Sequence, residues 1–284
     1  MRRIIFCFIL SLSFIKSYSG VNALPFLRYG IGARAVGMGG AFTGLCNDAS
    51  SVFWNPAGIS GVLENEFNLT TSILSDGRND NLVLVALPKT GIGFLFEMVG
   101  VGDVHGYENG VPSGEFNWDN QVFNITYSKA ITDGVQWGLT LKYVMSKLKD
   151  EKASSFGFDF GVKAYPSKKI SFGFVIKDVA SSLKWSTGAK DEIPIYVRSG
   201  ITFKLLNYKL LTSFDIGKVE GEDKMRYSFG AEYWLAKSFA VRSGYSDNGF
   251  SAGISIGIKK LLLEYSFSDE DLSSRQILSL SLKF

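Results

Sequence analysis

Phe156-Gly-Phe-Asp-Phe-Gly-Val-Lys-Ala164 is the stretch on which the fold turns. Phe156, Phe158, Phe160, Val162 and Ala164 occupy every second position, and Gly157, Asp159, Gly161 and Lys163 fall between them. That is the period-2 pattern of a strand whose two faces meet different surroundings. In a soluble sandwich the apolar face would look into a core and the polar face into water. In an outer-membrane barrel the assignment is reversed, with the apolar face against lipid and the polar face lining the lumen. The alternation recurs along the chain. Phe250, Ala252, Ile254, Ile256 and Ile258 interleave with Ser251, Gly253, Ser255 and Gly257, and Tyr227, Phe229, Ala231, Tyr233 and Leu235 oppose Arg226, Ser228, Gly230, Glu232 and Trp234. From Asn65 onward such segments run about ten residues each, separated by turn signals.

The connections separate the two readings. Short turns are expected at Pro88–Thr90, Thr132–Gly134, Pro166–Lys169, Leu206–Tyr208, Ala236–Ser238 and Lys259–Lys260. Between them fall longer, charged loops: Ser75–Asp80, Gly102–Asp119, Ser146–Ser154, Ala180–Glu192, Lys218–Lys224, Ser246–Gly249 and Ser268–Ser274. Strict alternation of short and long connections is what a barrel shows when every second turn is periplasmic, and a sandwich predicts none. The pattern predicts an all-β membrane protein, an up-and-down antiparallel barrel of about 14 strands over residues 64–284, an even number that returns both termini to the periplasm. The last strand places Leu278, Leu280, Leu282 and the terminal Phe284 on its lipid-facing side, an ending similar to the assembly signal by which the barrel-assembly machinery recognises its clients. Tyr and Trp near several strand ends suit the aromatic girdles of a bilayer.

Composition agrees with a β-rich chain: of 284 residues, aromatics are 14%, with 31 glycines against 6 prolines. A charged fraction of 20% and a net charge of +3 give no basis for a nucleic-acid partner. Residues 1–23 read as a cleaved export signal, with Arg2 and Arg3 preceding the apolar Ile4–Ile15 and a small-residue site ending at Ala23. The apolar run is too short for a spanning helix. Cys7 comes too early for a lipoprotein signal, and removal of the signal leaves Cys46 alone, so no internal disulfide forms.

Residues 24–63 do not read as strand. Gly30–Gly61 (GIGARAVGMGGAFTGLCNDASSVFWNPAGISG) sets small residues around Val36, Met38 and Phe42, so a short helix or turn can lie close to another surface. Asn47 and Asp48 can cap a second short helix, Ala49–Trp54, stopped by Asn55-Pro56-Ala57-Gly58. The ordered set Ala33-Arg34-Ala35-Val36-Gly37-Met38-Gly39-Gly40-Ala41-Phe42, Asn47-Asp48-Ala49-Ser50 and Trp54-Asn55-Pro56-Ala57-Gly58 resembles the N-terminal signature of the PorV/PorQ-like outer-membrane proteins, a branch of the FadL-like barrels. The resemblance covers about 30 residues by motif and the remainder by barrel pattern. It implies a monomeric barrel in the bacterial outer membrane, its N-terminal segment folded into the lumen as a hatch built on Arg34, Gly37, Met38, Gly39, Gly40, Phe42, Asp48, Trp54, Asn55, Pro56 and Gly58. PorV-like members serve type IX secretion and surface delivery of exported proteins, whereas FadL-like members carry hydrophobic small molecules inward. The chain is short for a FadL transporter and its loops lack a long apolar lid, which favours the secretion-linked reading over hydrophobe transport.

Strand parity predicts a lumen lined by Glu97, Lys142, Asp159, Lys163, Lys177, Arg198, Lys204, Asp215, Arg226, Glu232, Arg242 and Glu264, with Gly157, Gly161, Gly173, Gly230, Gly253 and Gly257 leaving room for the hatch. Mixed signs at this depth are tolerated beside water, one another or the backbone of a plug, and Arg34 is expected to pair with one of the carboxylates. A lateral gap for hydrophobes needs an interrupted strand, and Val99–Asp103, with Gly100 and Gly102, is the candidate.

Enzyme motifs dissolve on inspection. Gly30-Ile-Gly-Ala-Arg-Ala35 matches a dinucleotide fingerprint in letters only, with no preceding strand and no βαβ unit. Gly249-Phe-Ser-Ala-Gly253 and Gly253-Ile-Ser-Ile-Gly257 match the hydrolase elbow but lie inside a continuous alternating strand. His105 is the only histidine, which excludes a multi-histidine metal site, and the acidic turn Asp269-Glu270-Asp271 reads as solvated. No cofactor, no metal and no catalytic residue is expected. Outer-membrane lipid, the assembly machinery, secreted or secretion-system proteins and a hydrophobic small molecule are the partners that remain.

Overall fold

The computed structural model describes residues 23–75, 77–108, 110–270 and 273–284. The export signal expected over 1–23 lies outside the described residues apart from Ala23. The strands are β1 (Glu66–Leu74), β2 (Asn79–Leu87), β3 (Ile92–Glu108), β4 (Val111–Thr132), β5 (Val135–Leu148), β6 (Glu151–Ser167), β7 (Ile170–Val179), β8 (Ser182–Trp185), β9 (Lys190–Glu192), β10 (Tyr196–Leu205), β11 (Leu210–Val219), β12 (Arg226–Ala236), β13 (Phe239–Ser246), β14 (Gly249–Ile258), β15 (Leu261–Glu270) and β16 (Ser273–Lys283). Each pairs antiparallel with its neighbour in sequence, except that β10 pairs with β7 while β8 and β9 form a hairpin whose β8 edge leans on β6 at Ala153 and Ser154. Setting that hairpin aside, 14 strands form a ring closed by β1 on β16, from Glu66↔Lys283 to Leu74↔Arg275.

The faces are inverted relative to a soluble fold. Phe156 is 61% exposed on the outside of β6, while Asp159 and Lys163 are each 1% exposed on the inside. Phe229, Phe250, Ile258, Leu280 and Phe284 share the exposed outer face, while Glu232, Arg242, Ser251 and Ser279 share the buried inner one. A backbone with no free edge and an apolar exterior is the arrangement that satisfies every ladder hydrogen bond in lipid.

The rim is stepped. β3, β4, β5 and β6 run 17, 22, 14 and 17 residues, against the roughly 9–11 that span a bilayer. The outward connections expected as loops at Gly102–Asp119 and Ser146–Ser154 are therefore, in large part, the upper ends of these hairpins. Above the apolar band both faces of a strand meet the same solvent, so the period-2 signal fades although the strand continues.

Candidate functional site

The N-terminal segment fills the barrel from the outward end toward the periplasmic one. A 3-10 turn over Pro25–Arg28 leads to α1 (Ala33–Gly37), then tight turns, α2 (Ser51–Trp54) and a 3-10 turn over Pro56–Gly61 that delivers the chain to β1. Local chemistry sets these breaks. Gly39 and Gly40 take φ of +64° and +74° to reverse the chain after α1. Asp48 Oδ1 accepts from the Ser50 amide at 3.0 Å just before α2. Asn55 is extended, and its Oδ1 accepts from the Ala57 amide at 3.2 Å across Pro56.

Close packing on the wall needs small residues on both sides. A β-carbon on Gly39 would lie 2.7 Å from the Tyr245 nitrogen, one on Gly37 would lie 3.3 Å from the Gly253 Cα, and one on Gly58 would lie 2.6 Å from the Cys46 carbonyl. Opposite them, Gly161 faces Asn55 and Pro56, Gly173 faces Thr43, and Gly230 faces Met38. Gly157 and Gly257 do not touch the segment: they face Ser181 and the Ser238 turn instead. Met38 and Phe42 are fully buried, Trp54 is buried against Phe42 and Phe53, and its Nε1 donates to the Ile31 carbonyl at 3.1 Å.

Charged side chains then bolt segment to wall. Arg34 donates Nε and Nη2 to the two oxygens of Glu232, both at 2.8 Å, and Nη1 to Asp48 at 2.9 Å. Glu232 also accepts from Arg242 at 2.6 Å, and Arg242 donates to Glu264 at 2.9 Å. The chain Asp48–Arg34–Glu232–Arg242–Glu264 thus alternates in sign from the plug into the wall. Asp215 accepts the amides of Phe42 and Thr43 at 3.1 and 2.9 Å and the Arg198 Nε at 3.0 Å, while Arg198 also reaches the Gly40 carbonyl. Lys163 donates to the carbonyls of Leu45, at 2.5 Å, and Cys46. Arg226, also on the inner face, pairs with Glu222 at 2.7 Å.

Parity missed Asp178 and Arg275, as well as Glu66 and Asp80, all buried on the inner face. Asp178 takes a left-handed φ of +62° at a bulge in β7, where one extra residue turns both Lys177 and Asp178 inward. It holds Lys142 at 2.5 Å, which also contacts Asp159 at 3.2 Å. A bulge breaks the two-residue count, so counting could not find it. Arg275, 3% exposed on its side chain, bonds Asp80 at 2.9 Å and the Gly30 carbonyl at 2.5 Å. Extending the parity of the last strand by two more pairs, through Ile277, would have placed it inside.

At the outward end of the lumen Pro25, Phe26, Tyr29, Leu74, Val99, Val101 and Trp118 line a largely apolar cavity of about 40 Å³, together with Arg78, Asn79, Asp80, Glu97, Asn120 and Arg275. That holds a water or two, well short of the roughly 150 Å³ that takes up a benzene. The gap expected at Gly100 is not open: Gly100 is in register with Asn79 on one side and Asp119 on the other. Gly102 sits at a bulge between Val101 and Val104, above the end of β2, where β3 has only β4 beside it. His105, exposed in this hairpin, pairs with Glu115 at 3.3 Å. Ser251 and Ser255, the centres of the elbow-like motifs, accept from the Gly39 amide and donate to Glu264.

Among solved structures the chain resembles the CymD monoaromatic hydrocarbon channel, with a TM-score of 0.67 and 13% identity over 93% of this chain and 99% of that one. It resembles a FadL homologue of Pseudomonas aeruginosa at a TM-score of 0.59 and 11% identity, over 88% and 97%. The toluene transporter TodX of Pseudomonas putida gives a TM-score of 0.58 and 12% identity, over 94% and 98%. The fold is the FadL-like outer-membrane barrel. No protein-family model and no curated protein sequence matches the chain. Identities this low carry the fold and nothing finer. In this barrel charged side chains bolt residues 30–61 to the wall, whereas residues 23–29 pack against it with apolar side chains.

Proposed function

We propose that the chain is exported by residues 1–23 to the bacterial outer membrane and there binds and admits hydrophobic small molecules through a lumen that its N-terminal segment keeps shut at rest. The observation that carries this reading is the apolar cavity beneath Pro25–Arg28, walled by Phe26, Val99, Val101 and Trp118 at the outward mouth. The whole-length likeness to channels named for monoaromatic hydrocarbons and toluene supports the same class of cargo.

The resting cavity is too small for such a molecule, so something must yield. Residues 30–61 are held by charge-assisted hydrogen bonds, each worth about 1.5–3 kcal/mol, and moving them together would break many at once. Phe26 and Leu27 meet the wall by packing, their backbone bonds staying within the turn, from the Leu27 amide to the Leu24 carbonyl and from the Tyr29 amide to the Phe26 carbonyl; the Tyr29 hydroxyl receives one bond of 3.3 Å from Arg78, and the Arg28 Nη1 is buried without a partner. The Pro25–Tyr29 turn is the part that moves.

A secretion-linked PorV/PorQ-like role rests on the Ala33–Gly58 motif. In the structure that motif is spent internally, Arg34 on Glu232 and Asp48, Asn55 on Thr43 and Val162, so it offers little to an outside partner. Calorimetric titration of the barrel in nanodiscs with toluene and with a long-chain fatty acid, against protein-free discs, decides between the two. Saturable binding near one per barrel, weakened by Phe26→Asp, is the expected result. No saturable binding of either probe, with an exported protein co-purifying in fixed ratio, would overturn it.

A further inference from the structure

The outer wall carries a second feature, on the face of β3–β6 that looks away from the lumen. Phe96, Phe123, Tyr143 and Phe156 stand side by side across the four strands, with ring centroids 4.7 Å apart for Phe96–Phe123 and 4.6 Å for Tyr143–Phe156. Tyr143, the one ring of the row with a polar tip, suits the upper margin of the apolar band, since tyrosine favours the membrane interface. Two residues higher the same ladders line up Met98, Gln121, Met145, Ser154 and, on β8, Lys184. Two residues higher again Asp119, Lys147 and Lys152 align, with Lys147 directly opposite Lys152. Tyr143 and the two upper rows line a shallow groove of about 860 Å³.

Like charges directly opposite on adjacent strands are unfavourable unless something neutralises them. Among the described residues none of Lys147, Lys152 and Lys184 lies within ion-pair distance of a carboxylate, and all three are exposed. Asp119 is the one acid in the groove, so three cations face one anion. Exposed lysines standing one and two ladder rows above an aromatic row, on stems long enough to reach upward, fit a headgroup bearing negative charge.

We propose that this groove is a docking site for one net-anionic, phosphate-bearing lipid of the outer leaflet. The lysines take the phosphate, and Met98, Tyr143 and Met145 take the first carbons of its acyl chains. The site requires that the barrel lie in a membrane and is independent of what the lumen admits. Native mass spectrometry of the whole barrel, equilibrated with phosphatidylglycerol or with phosphatidylcholine of the same acyl chains, tests it. The expected result is one retained phosphatidylglycerol, at least tenfold weaker retention by K147Q/K152Q/K184Q with unchanged heat-modifiable migration, and no displacement by millimolar inorganic phosphate. Equal retention of the zwitterionic lipid, equal retention by the triple variant, displacement by free phosphate, or a dimer of the barrel in place of bound lipid would each overturn the assignment.

Discussion

Glu232 is where the plug and the wall are joined. It is fully buried and accepts from Arg34 on one side and Arg242 on the other. Burial alone would pull the Arg34 guanidinium toward neutrality, but Glu232 and then Asp48 outweigh it and hold its pKa well above the ordinary value. The junction therefore stays charged across the pH range a cell meets. Removing one partner of a buried pair leaves the other uncompensated, at a cost of about 3–5 kcal/mol. Glu232→Ala is expected to lower the temperature at which the compact, fast-migrating form is lost on a denaturing gel. Arg226→Gln, which breaks a part-exposed pair with Glu222, should move it by no more than a surface pair's roughly 1 kcal/mol. Equal shifts for the two would show that the network does not hold the plug. That Arg34 needs an inward carboxylate was legible from parity. Which one was not, because parity alone offers five inward acids and only strand positions around the ring choose among them. Cys46, whose thiol is pushed up by burial and donates to the Phe42 carbonyl, is an inert packing residue.

At the scale of elements the N-terminal segment divides into a bolted body and a loose leading turn. Local opening free energies follow the density of contacts, so amides of Leu27 and Tyr29 should exchange with solvent at least about tenfold faster than those of Gly39–Cys46. Hydrogen exchange read by mass spectrometry measures this, and uniform protection from residue 24 to 61 would sink the division. A cysteine pair at Ala33 and Ser279, whose amide and hydroxyl are 3.0 Å apart, should lock the body to β16 while leaving hydrophobe binding within about twofold of its unlocked value, since only Pro25–Tyr29 must move. Loss of binding in the oxidised form, restored by reductant, would instead mean that the whole segment shifts. Two short helices and their glycine turns were readable in the sequence, though α2 begins at Ser51 and α1 ends at Gly37. The expected gap at Gly100 was not found, because a glycine pair signals a flexible strand and only the neighbouring strands' lengths decide whether it is left unpaired.

For the whole molecule, closure depends on the last strand. β16 pairs with β15 and β1 over its length, and the Phe284 amide donates to the Asn65 carbonyl at 2.9 Å, so the seam runs through Phe284. Its ring is 53% exposed on the lipid side. Phe284→Asp places a charge where the wall meets lipid and is expected to cut the assembled, fast-migrating fraction several-fold, whereas Phe284→Tyr should leave it near normal. Undiminished assembly of the aspartate variant would remove the C-terminal residue from the closure argument.

Sequence by itself determined the barrel, its 14 strands, the inside and outside of each strand away from the bulges and the presence of a glycine-rich plug. Those properties follow from period, turn spacing and the solvent on each face, all of which are local. Only the tertiary structure decided that Glu232 and Asp215 are the plug's anchors, that Asp178 turns inward at a bulge, that Gly100 is paired, and that β3–β6 stand tall above the rest. Each of these depends on which strands lie beside which around a closed ring, and no stretch of chain carries that information alone.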